Sequence, residues 1–242
     1  MPVLNYITKL DNYEAEDIGD VVAKLEKSFQ IKFDKNAFKE IDNFGKLCDV
    51  IEATLKYDEK EDCTKQQAFY KIREAIRLTR PIGKEQIKLE TKLSDLFPKQ
   101  NRRKQVVEFQ KHLEVKLKFL TYPDWVTLIL LVGLLASLVA FFFDWKIAVS
   151  GIVICTLAFR VADKLGKDLQ FETVKQLTEK VAREHYINIR RSTMTMNKSE
   201  IFKIIKDAFS YDLSIDKEHL TREAAFSWTK STATNKSNLG DH

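Results

Sequence analysis

The sequence predicts an all-α protein composed of small helical bundles and a two-helix transmembrane hairpin. Three observations lead to this fold class. The 242 residues include only 7 glycines and 4 prolines, which favours helices joined by short loops. No alternation of apolar and polar residues typical of a strand extends over more than a few positions. One central stretch is strongly apolar, whereas the regions on both sides of it are highly charged.

The apolar stretch divides into two runs around a short polar interruption. Trp125–Phe143 has no charged residue in nineteen positions. As a helix this run would be about 28 Å long, close to the thickness of a bilayer's hydrocarbon core. Asp144–Lys146 interrupts the pattern, and a shorter run, Ile147–Phe159, follows. We predict two transmembrane helices joined by a tight turn, with Trp125 and Trp145 as interfacial aromatic residues.

A buried helical hairpin in a soluble domain is the alternative interpretation of these runs. Helices in soluble cores are usually amphipathic and carry a polar stripe. The first run lacks one, because only Thr127 and Ser137 interrupt it and both hydroxyls can bond to their own helix. The length and composition of the run therefore favour the membrane.

Basic residues on both sides of the hairpin predict its orientation. Because positive charge is retained on the cytoplasmic side, both flanks and both termini should be cytoplasmic in a multi-pass membrane protein. For the basic helix expected over Asn101–Lys118, two interpretations remain open: a core helix with a solvated side, or a surface for anionic lipids. The predicted membrane-surface residues are Arg102, Arg103, Lys104, Arg160 and Lys164.

The hairpin separates segments with recognisable helix starts. We predict an N-terminal helical segment 1–61, a basic helical segment 62–121, the hairpin 122–162, a C-terminal helical segment 163–228 and a disordered tail 229–242. Asn43 is expected to cap one helix, and Asn197 with Glu200 is expected to form a capping box on another.

The sequence has no pattern typical of an active site or a metal centre. Its three cysteines are odd in number and lack metal-ligand spacing, and its four histidines are scattered. No phosphate loop, nucleophile elbow or paired-carboxylate site is present. The net charge of +5 is modest and concentrated near the hairpin, which fits lipid headgroups better than nucleic acid. We expect a non-enzymatic protein that binds the lipid bilayer, and neither metal nor nucleic acid.

Several segments resemble parts of an acyl carrier protein. The run LEKSFQIKFDKNAFKEIDNFGKLCDVI, within residues 17–55, is similar to the second half of that family's bundle. IKLETKLSDLF followed by VVEFQKHLEVKLKF resembles the loop and second helix, and Phe171–Val181 resembles the closing helix. Asn197–Trp228 resembles the first helix and its loop. The hairpin interrupts the central bundle where a short third helix would stand.

The resemblance implies carrier-like bundles without the carrier's cofactor. The family attaches phosphopantetheine to the serine of an Asp-Ser-Leu triplet at the start of the second helix. In the N-terminal segment that place falls at Glu14–Glu16, where no serine stands. In the central segment Ser94 precedes Asp95-Leu96, on the wrong side of the loop. We therefore expect no cofactor, phosphopantetheine included.

The function implied by the resemblance is recognition rather than acyl transfer. Partner proteins recognise carrier domains through an acidic helix, which implies a membrane-anchored adaptor or scaffold on the cytoplasmic face, its protein partner unknown. One alternative is a genuine carrier modified at an atypical serine such as Ser94 or Ser231. A second alternative is a membrane-tethered regulator.

The resemblance also implies that the two ends of the chain build one bundle. The C-terminal segment offers the first helix, and the N-terminal segment offers the helices that follow, in a circularly permuted order. The packing that this predicts joins Ile201, Ile205 and Phe209 to Val22, Leu25 and Phe29.

Overall fold

The protein is mostly helical, with 64% helix, which agrees with the predicted all-α class. The computed structural model describes residues 9–10, 15–34, 37–38, 41–192 and 194–226. The predicted tail 229–242, with Ser231, lies outside the described residues. The α-helices are α1 Ala15–Phe29, α2 Phe44–Thr54, α3 Thr64–Thr79, α4 Leu93–Leu96, α5 Arg102–Leu113, α6 Asp124–Ala140, α7 Trp145–Leu165, α8 Val174–Glu184, α9 Tyr186–Ile189 and α10 Lys198–Asp212.

Short strand pairs connect distant parts of the chain. Two of the three pairs described are parallel, β1 with β6 and β2 with β5, whereas β3 and β4 are antiparallel. The strands are β1 Lys9–Leu10, β2 Asp58–Glu59, β3 Leu120–Thr121, β4 Asp168–Leu169, β5 Thr195–Met196 and β6 Ala225–Phe226. Single turns of 3₁₀-helix lie at Lys84–Gln86 and Lys217–His219.

The chain forms two compact units, and the first is built from both ends of the sequence. Unit 1 comprises Met1–Ala68 and Glu179–His242, and unit 2 comprises Phe69–Thr178. In unit 1, α10 packs on α1. One buried cluster contains the residues predicted to meet, and this confirms the packing of the two ends: Val22, Leu25, Phe29, Ile201, Ile205 and Phe209.

Both units contain the same arrangement of backbone hydrogen bonds. In each unit the first two amides of a helix donate to carbonyls of an incoming segment, and these carbonyls are two residues apart. The bonds are Phe44 N to Ala224 O (2.8 Å) and Gly45 N to Arg222 O (2.8 Å) in unit 1, and Val174 N to Thr91 O (3.0 Å) and Lys175 N to Leu89 O (2.8 Å) in unit 2. A 3₁₀ turn precedes the incoming segment in both cases.

The equivalence of the two units extends to the ends of their helices. Gln30 follows α1 and Glu114 follows α5, and both have left-handed backbone angles, with φ of 54° and 61°. Apolar segments beginning at Ile31 and Val115 come next. Helices α3, α5 and α8 thus correspond to α10, α1 and α2. Along the chain, unit 1 has these helices in the order α1, α2, α10, whereas unit 2 has their equivalents in the order α3, α5, α8.

The hairpin helices differ in length from the predicted runs. Helix α6 ends at Ala140, because Phe141–Phe143 form the turn instead of a further helical turn. Helix α7 begins at Trp145 and continues beyond Arg160 to Leu165, giving 21 residues. Among the described helices, α7 alone is long and apolar enough to cross a membrane by itself. This corrects the prediction that the first run is the longer span. The prediction ended the second run at Phe159, before the charged residue Arg160, but a charged residue does not by itself end a helix.

Two local predictions require correction, and one is confirmed. Asn43 caps α2 as predicted, and its side chain accepts from the Lys46 amide. The basic helix α5 stops at Leu113, well before Lys118, because the next residue adopts the left-handed conformation. Asn197 caps α10, but Glu200 does not complete a capping box. Its carboxylate instead accepts the amide of Thr64, the first residue of α3.

Asp207 of α10 joins three parts of unit 1. Its carboxylate accepts hydrogen bonds from Lys65 at 3.0 Å and pairs with Lys217 at 2.7 Å. Burial alone would raise the pKa of Asp207. The hydrogen bonds and charges of the two lysines outweigh burial and hold this pKa below its ordinary value of 3.8. The charged form therefore stabilises the folded state.

We expect Asp207→Asn to lower the free energy of unfolding by about 2 kcal/mol at neutral pH, since two charge-assisted bonds are weakened. Because the folded-state pKa is depressed, the advantage of the wild type should be complete above pH 3.8 and should shrink below it. Thermal unfolding of the wild type and the variant, followed by circular dichroism at neutral pH and below pH 3.8, measures this. Asp42→Asn, which removes a half-exposed carboxylate paired with Lys46, is the control and should change little. An advantage that grows in acid would contradict the assignment.

Candidate functional site

The hairpin helices α6 and α7 pack through small residues. A Cβ placed on Gly133 would lie 3.2 Å from the Cys155 sulfur, and one placed on Gly151 would lie 3.0 Å from Ser137 Cβ. These pairs run in opposite directions along the two helices, so the start of α6 lies beside the end of α7. The Ser137 hydroxyl donates to the Gly133 carbonyl at 2.9 Å, as expected from the sequence. Small side chains here permit close approach of two backbones.

Large apolar side chains cover the outside of the hairpin. Phe142, in the turn, is 88% exposed. Only 6% of the most apolar stretch of α7 is buried. The other exposed apolar residues of both helices include Leu128, Ile129, Val132, Leu135, Val139, Ile147, Val153, Ile154 and Leu157. A contiguous apolar surface of this kind is not typical of a protein surrounded by water.

Within unit 2, the hairpin leaves the rest of the unit and returns to it at one point. Strands β3 and β4 pair there, with Thr121 opposite Asp168. A Cβ on Gly166 would lie 2.5 Å from the Thr121 carbonyl carbon, so only glycine fits beside this strand. Phe119 precedes β3 and Phe171 follows β4, with their rings 6.1 Å apart. We call this point the neck of the hairpin. Edge-to-face aromatic contacts attach it to the core of unit 2.

Arg102 stabilises the neck from inside the protein. The residue is only 5% exposed. Its guanidinium donates to the carbonyl of Phe97 at 2.6 Å and to that of Lys167 at 2.7 Å. Burial lowers the pKa of Arg102, and the nearby charge of Asp168 opposes this shift. The prediction that Arg102 contacts the membrane is wrong, because its side chain is buried and two of its nitrogens bind carbonyls within unit 2.

The remaining predicted surface residues are exposed. Arg103 and Lys104 lie in the first turn of α5, and Arg160 and Lys164 lie in the last turns of α7. The Arg103 guanidinium donates to the Lys164 carbonyl, at the C-terminal end of α7. A cation is favoured there because the helix dipole is negative at that end. The structure thus brings two of the predicted residues together, and their contact with a membrane remains a prediction.

The predicted interfacial aromatic residues lie at opposite ends of the hairpin. Trp125 is in the first turn of α6, near the neck, and is 62% exposed. Trp145 begins α7 at the far turn and is 61% exposed. Fifteen residues of α6 follow Trp125 before the turn, so the separation along the helix is about 22 Å.

Two residues at the neck, Lys118 and Val107, were not among the site residues predicted from the sequence. Lys118 forms an ion pair with Asp163 of α7 at 2.8 Å. Val107 of α5 is exposed, although it stands among basic residues. The proximity of Lys118 and Asp163 depends on the return of the hairpin. Helical periodicity does identify Val107, because it lies off the face formed by Val106 and Phe109.

Little in the described part of the molecule suggests catalysis. Within the described ranges, no group of three or more histidine, cysteine or acidic side chains could hold a metal ion. Cys48 is buried, which raises the pKa of its thiol to about 12 and keeps it protonated at neutral pH. Ser94 is exposed on α4, and its hydroxyl donates to the adjacent Asp95 carboxylate. No family model, curated protein or solved structure matches the chain.

We expect Gly151→Val to disrupt the hairpin, because the added atoms would occupy the position of Ser137. The cost should be about 1–3 kcal/mol, as for overpacked interiors. The measurement is the fraction of SDS in mixed micelles at which helicity is lost. Ser150→Val, at the adjacent exposed position, is the matched control and should have little effect. Equal losses for both variants would show that α6 and α7 do not pack along this seam.

Proposed function

We propose that the protein is anchored in a membrane by the hairpin α6–α7 and presents both of its helical units on the same, cytoplasmic side, where it acts as an adaptor. The observation that carries the proposal is the contrast between two surfaces. Outside the hairpin, the helices of units 1 and 2 bury their apolar faces, whereas the hairpin exposes most of its large apolar side chains. A bilayer would cover that surface without any change in the fold.

The packing of unit 1 favours two crossings over one. Helix α1 precedes the hairpin in the sequence and α10 follows it, yet the two helices share one core. If α7 alone crossed the bilayer, α1 and α10 would lie on opposite sides and unit 1 could not form. An even number of crossings removes this conflict. Although α6 has only 17 helical residues, the three phenylalanines that follow extend its apolar length.

The distribution of charge supports the same orientation. Arg103, Lys104, Arg160 and Lys164 all belong to the neck end of the hairpin, whereas the far turn carries only Asp144 and Lys146. Positive charge is retained on the cytoplasmic side of membranes. The neck, and with it the soluble part of the chain, would therefore face the cytoplasm.

An adaptor function follows from what the units offer. Each contains three equivalent helices, α10, α1 and α2 in unit 1 and α3, α5 and α8 in unit 2, with a 3₁₀ turn after the first of them. This set of elements suits the proposed carrier-like bundle. Acidic residues Glu16 and Asp17 are exposed at the start of α1, where a partner could approach. We propose that this helix binds a protein partner, and that the membrane localises the complex.

The topology is tested with a membrane-impermeant maleimide. Cys63 is exposed in unit 1, and Phe142→Cys, in a Cys63→Ser background, places a thiol at the far turn. In intact cells we expect labelling of the far turn and none of Cys63, and after lysis we expect labelling of both. Buried Cys48 is the internal control and should not react before unfolding. Protection of both reporters until lysis would show that the hairpin does not cross the membrane.

The intact mass of the protein purified from its host's membranes separates an adaptor from a working carrier. We expect the mass of the unmodified chain, because no serine stands at the position implied by the carrier resemblance. Ser94→Ala is the comparison, since Ser94 is the exposed alternative within the described residues. A gain equal to phosphopantetheine that disappears in this variant would contradict the adaptor proposal and would identify the modified serine.

A further inference from the structure

We propose that the neck of the hairpin contains a binding site for one anionic phospholipid, between α5 and the end of α7. The inference deepens the proposed membrane anchoring and rests on it. A cavity of about 220 Å³ opens there. Its lining belongs entirely to unit 2 and consists of Arg103, Val106, Val107, Gln110, Leu117, Lys118, Phe119, Leu120, Asp163, Lys164 and Gly166.

The cavity combines an apolar wall with a basic rim. Val106, Leu117 and Phe119 are buried side chains of the unit 2 core that form part of its wall. Arg103, Lys118 and Lys164 contribute three positive charges to the lining, and Asp163 contributes one negative charge. The site therefore keeps an excess of positive charge. An amphiphile with an anionic head and an apolar tail has matching chemistry at both ends.

Exposure of Val107 supports the apolar half of the site. This side chain is 70% exposed, more than any other large apolar residue described outside the hairpin. It lies on the wall of the cavity, where α5 passes the end of α7. Water is an unfavourable environment for such a side chain. The apolar hairpin begins at the same neck. An acyl chain lying along the hairpin surface would therefore reach Val107 and cover its side chain.

Side-chain pairing indicates which groups would hold the headgroup. Lys164 forms no ion pair within the described part of the chain, so its ammonium is available. Lys118 is paired with Asp163, and both side chains are about half exposed. Arg103 uses one nitrogen on the Lys164 carbonyl and keeps its other donors. Basic groups beside a membrane surface attract its anionic headgroups.

The experiment uses the full-length protein in detergent micelles, titrated with phosphatidylglycerol or with phosphatidylcholine of the same acyl chains. Native mass spectrometry counts the bound lipids. We expect one phosphatidylglycerol to bind in preference to phosphatidylcholine. Lys118→Gln/Lys164→Gln should weaken this binding about fivefold for each lysine removed. Lys88→Gln/Lys99→Gln removes the same charge from exposed positions of unit 2 outside the cavity and should bind like the wild type.

A third variant tests the site by a gain of affinity. Asp163→Asn removes the one acidic group of the cavity and releases Lys118, so phosphatidylglycerol should bind about fivefold more tightly. Equal weakening in the two lysine pairs would overturn the site, because it would show only general attraction to a basic surface. Displacement of the lipid by inorganic phosphate at equal affinity would also overturn it and indicate a soluble ligand.

Failure of the site and failure of membrane anchoring give different results. If the hairpin does not reside in a bilayer, alkaline carbonate should release the wild-type protein from its membranes. If only the lipid site is wrong, the protein should remain in the carbonate pellet while Lys118→Gln/Lys164→Gln binds phosphatidylglycerol as tightly as the wild type.

Discussion

Packing of α10 on α1 is the contact on which the rest of the structure depends. Ile205 and Phe209 on one helix and Leu25 and Phe29 on the other are buried in one cluster, although most of the chain separates them. For α1 and α10 to pack together, the chain between them, which includes the hairpin, must return to unit 1. The antiparallel hairpin α6–α7 satisfies the requirement. For the proposed membrane anchor, this means that two crossings are compatible with unit 1 and a single crossing is not. The burial of a few apolar side chains in unit 1 therefore restricts the topology of a segment far away in the sequence.

Comparison of the two units shows which connection of unit 2 contains the hairpin. Each unit joins an incoming segment to the start of a helix by the same backbone bonds, at Phe44 in unit 1 and at Val174 in unit 2. In unit 1 a short connection leads from α1 to α2, whereas in unit 2 the corresponding connection contains α6 and α7. Strands β3 and β4 pair at the neck of the hairpin. Arg102 donates to the carbonyls of Phe97, before α5, and Lys167, after α7.

Local signals in the sequence predicted what depends on neighbouring residues. The capping of α2 by Asn43 follows from residue types only a few positions apart. Features that depend on distant carbonyls or charges were not predictable in this way. Arg102 and Arg103 are adjacent in the sequence, but only Arg102 is buried. Its guanidinium donates to the carbonyl of Lys167, which is distant in the sequence. Likewise, Glu200 binds the amide of Thr64 rather than that of its own cap, because the fold brings α3 to it.

Because of the neck, the length of the hairpin helices can change without changing the helical bundle of unit 2. Thr121 and Asp168 face each other across one pair of short strands, so the chain departs and returns at nearly the same place. Adding one turn to both α6 and α7 would lengthen the apolar layer by about 5.4 Å and would leave this residue pair where it is. Membranes differ in thickness by a few ångströms, and mismatch sorts proteins among them. If the hairpin is the membrane anchor proposed above, evolution could thus refit it to a thicker or thinner bilayer without redesigning the domain attached to it.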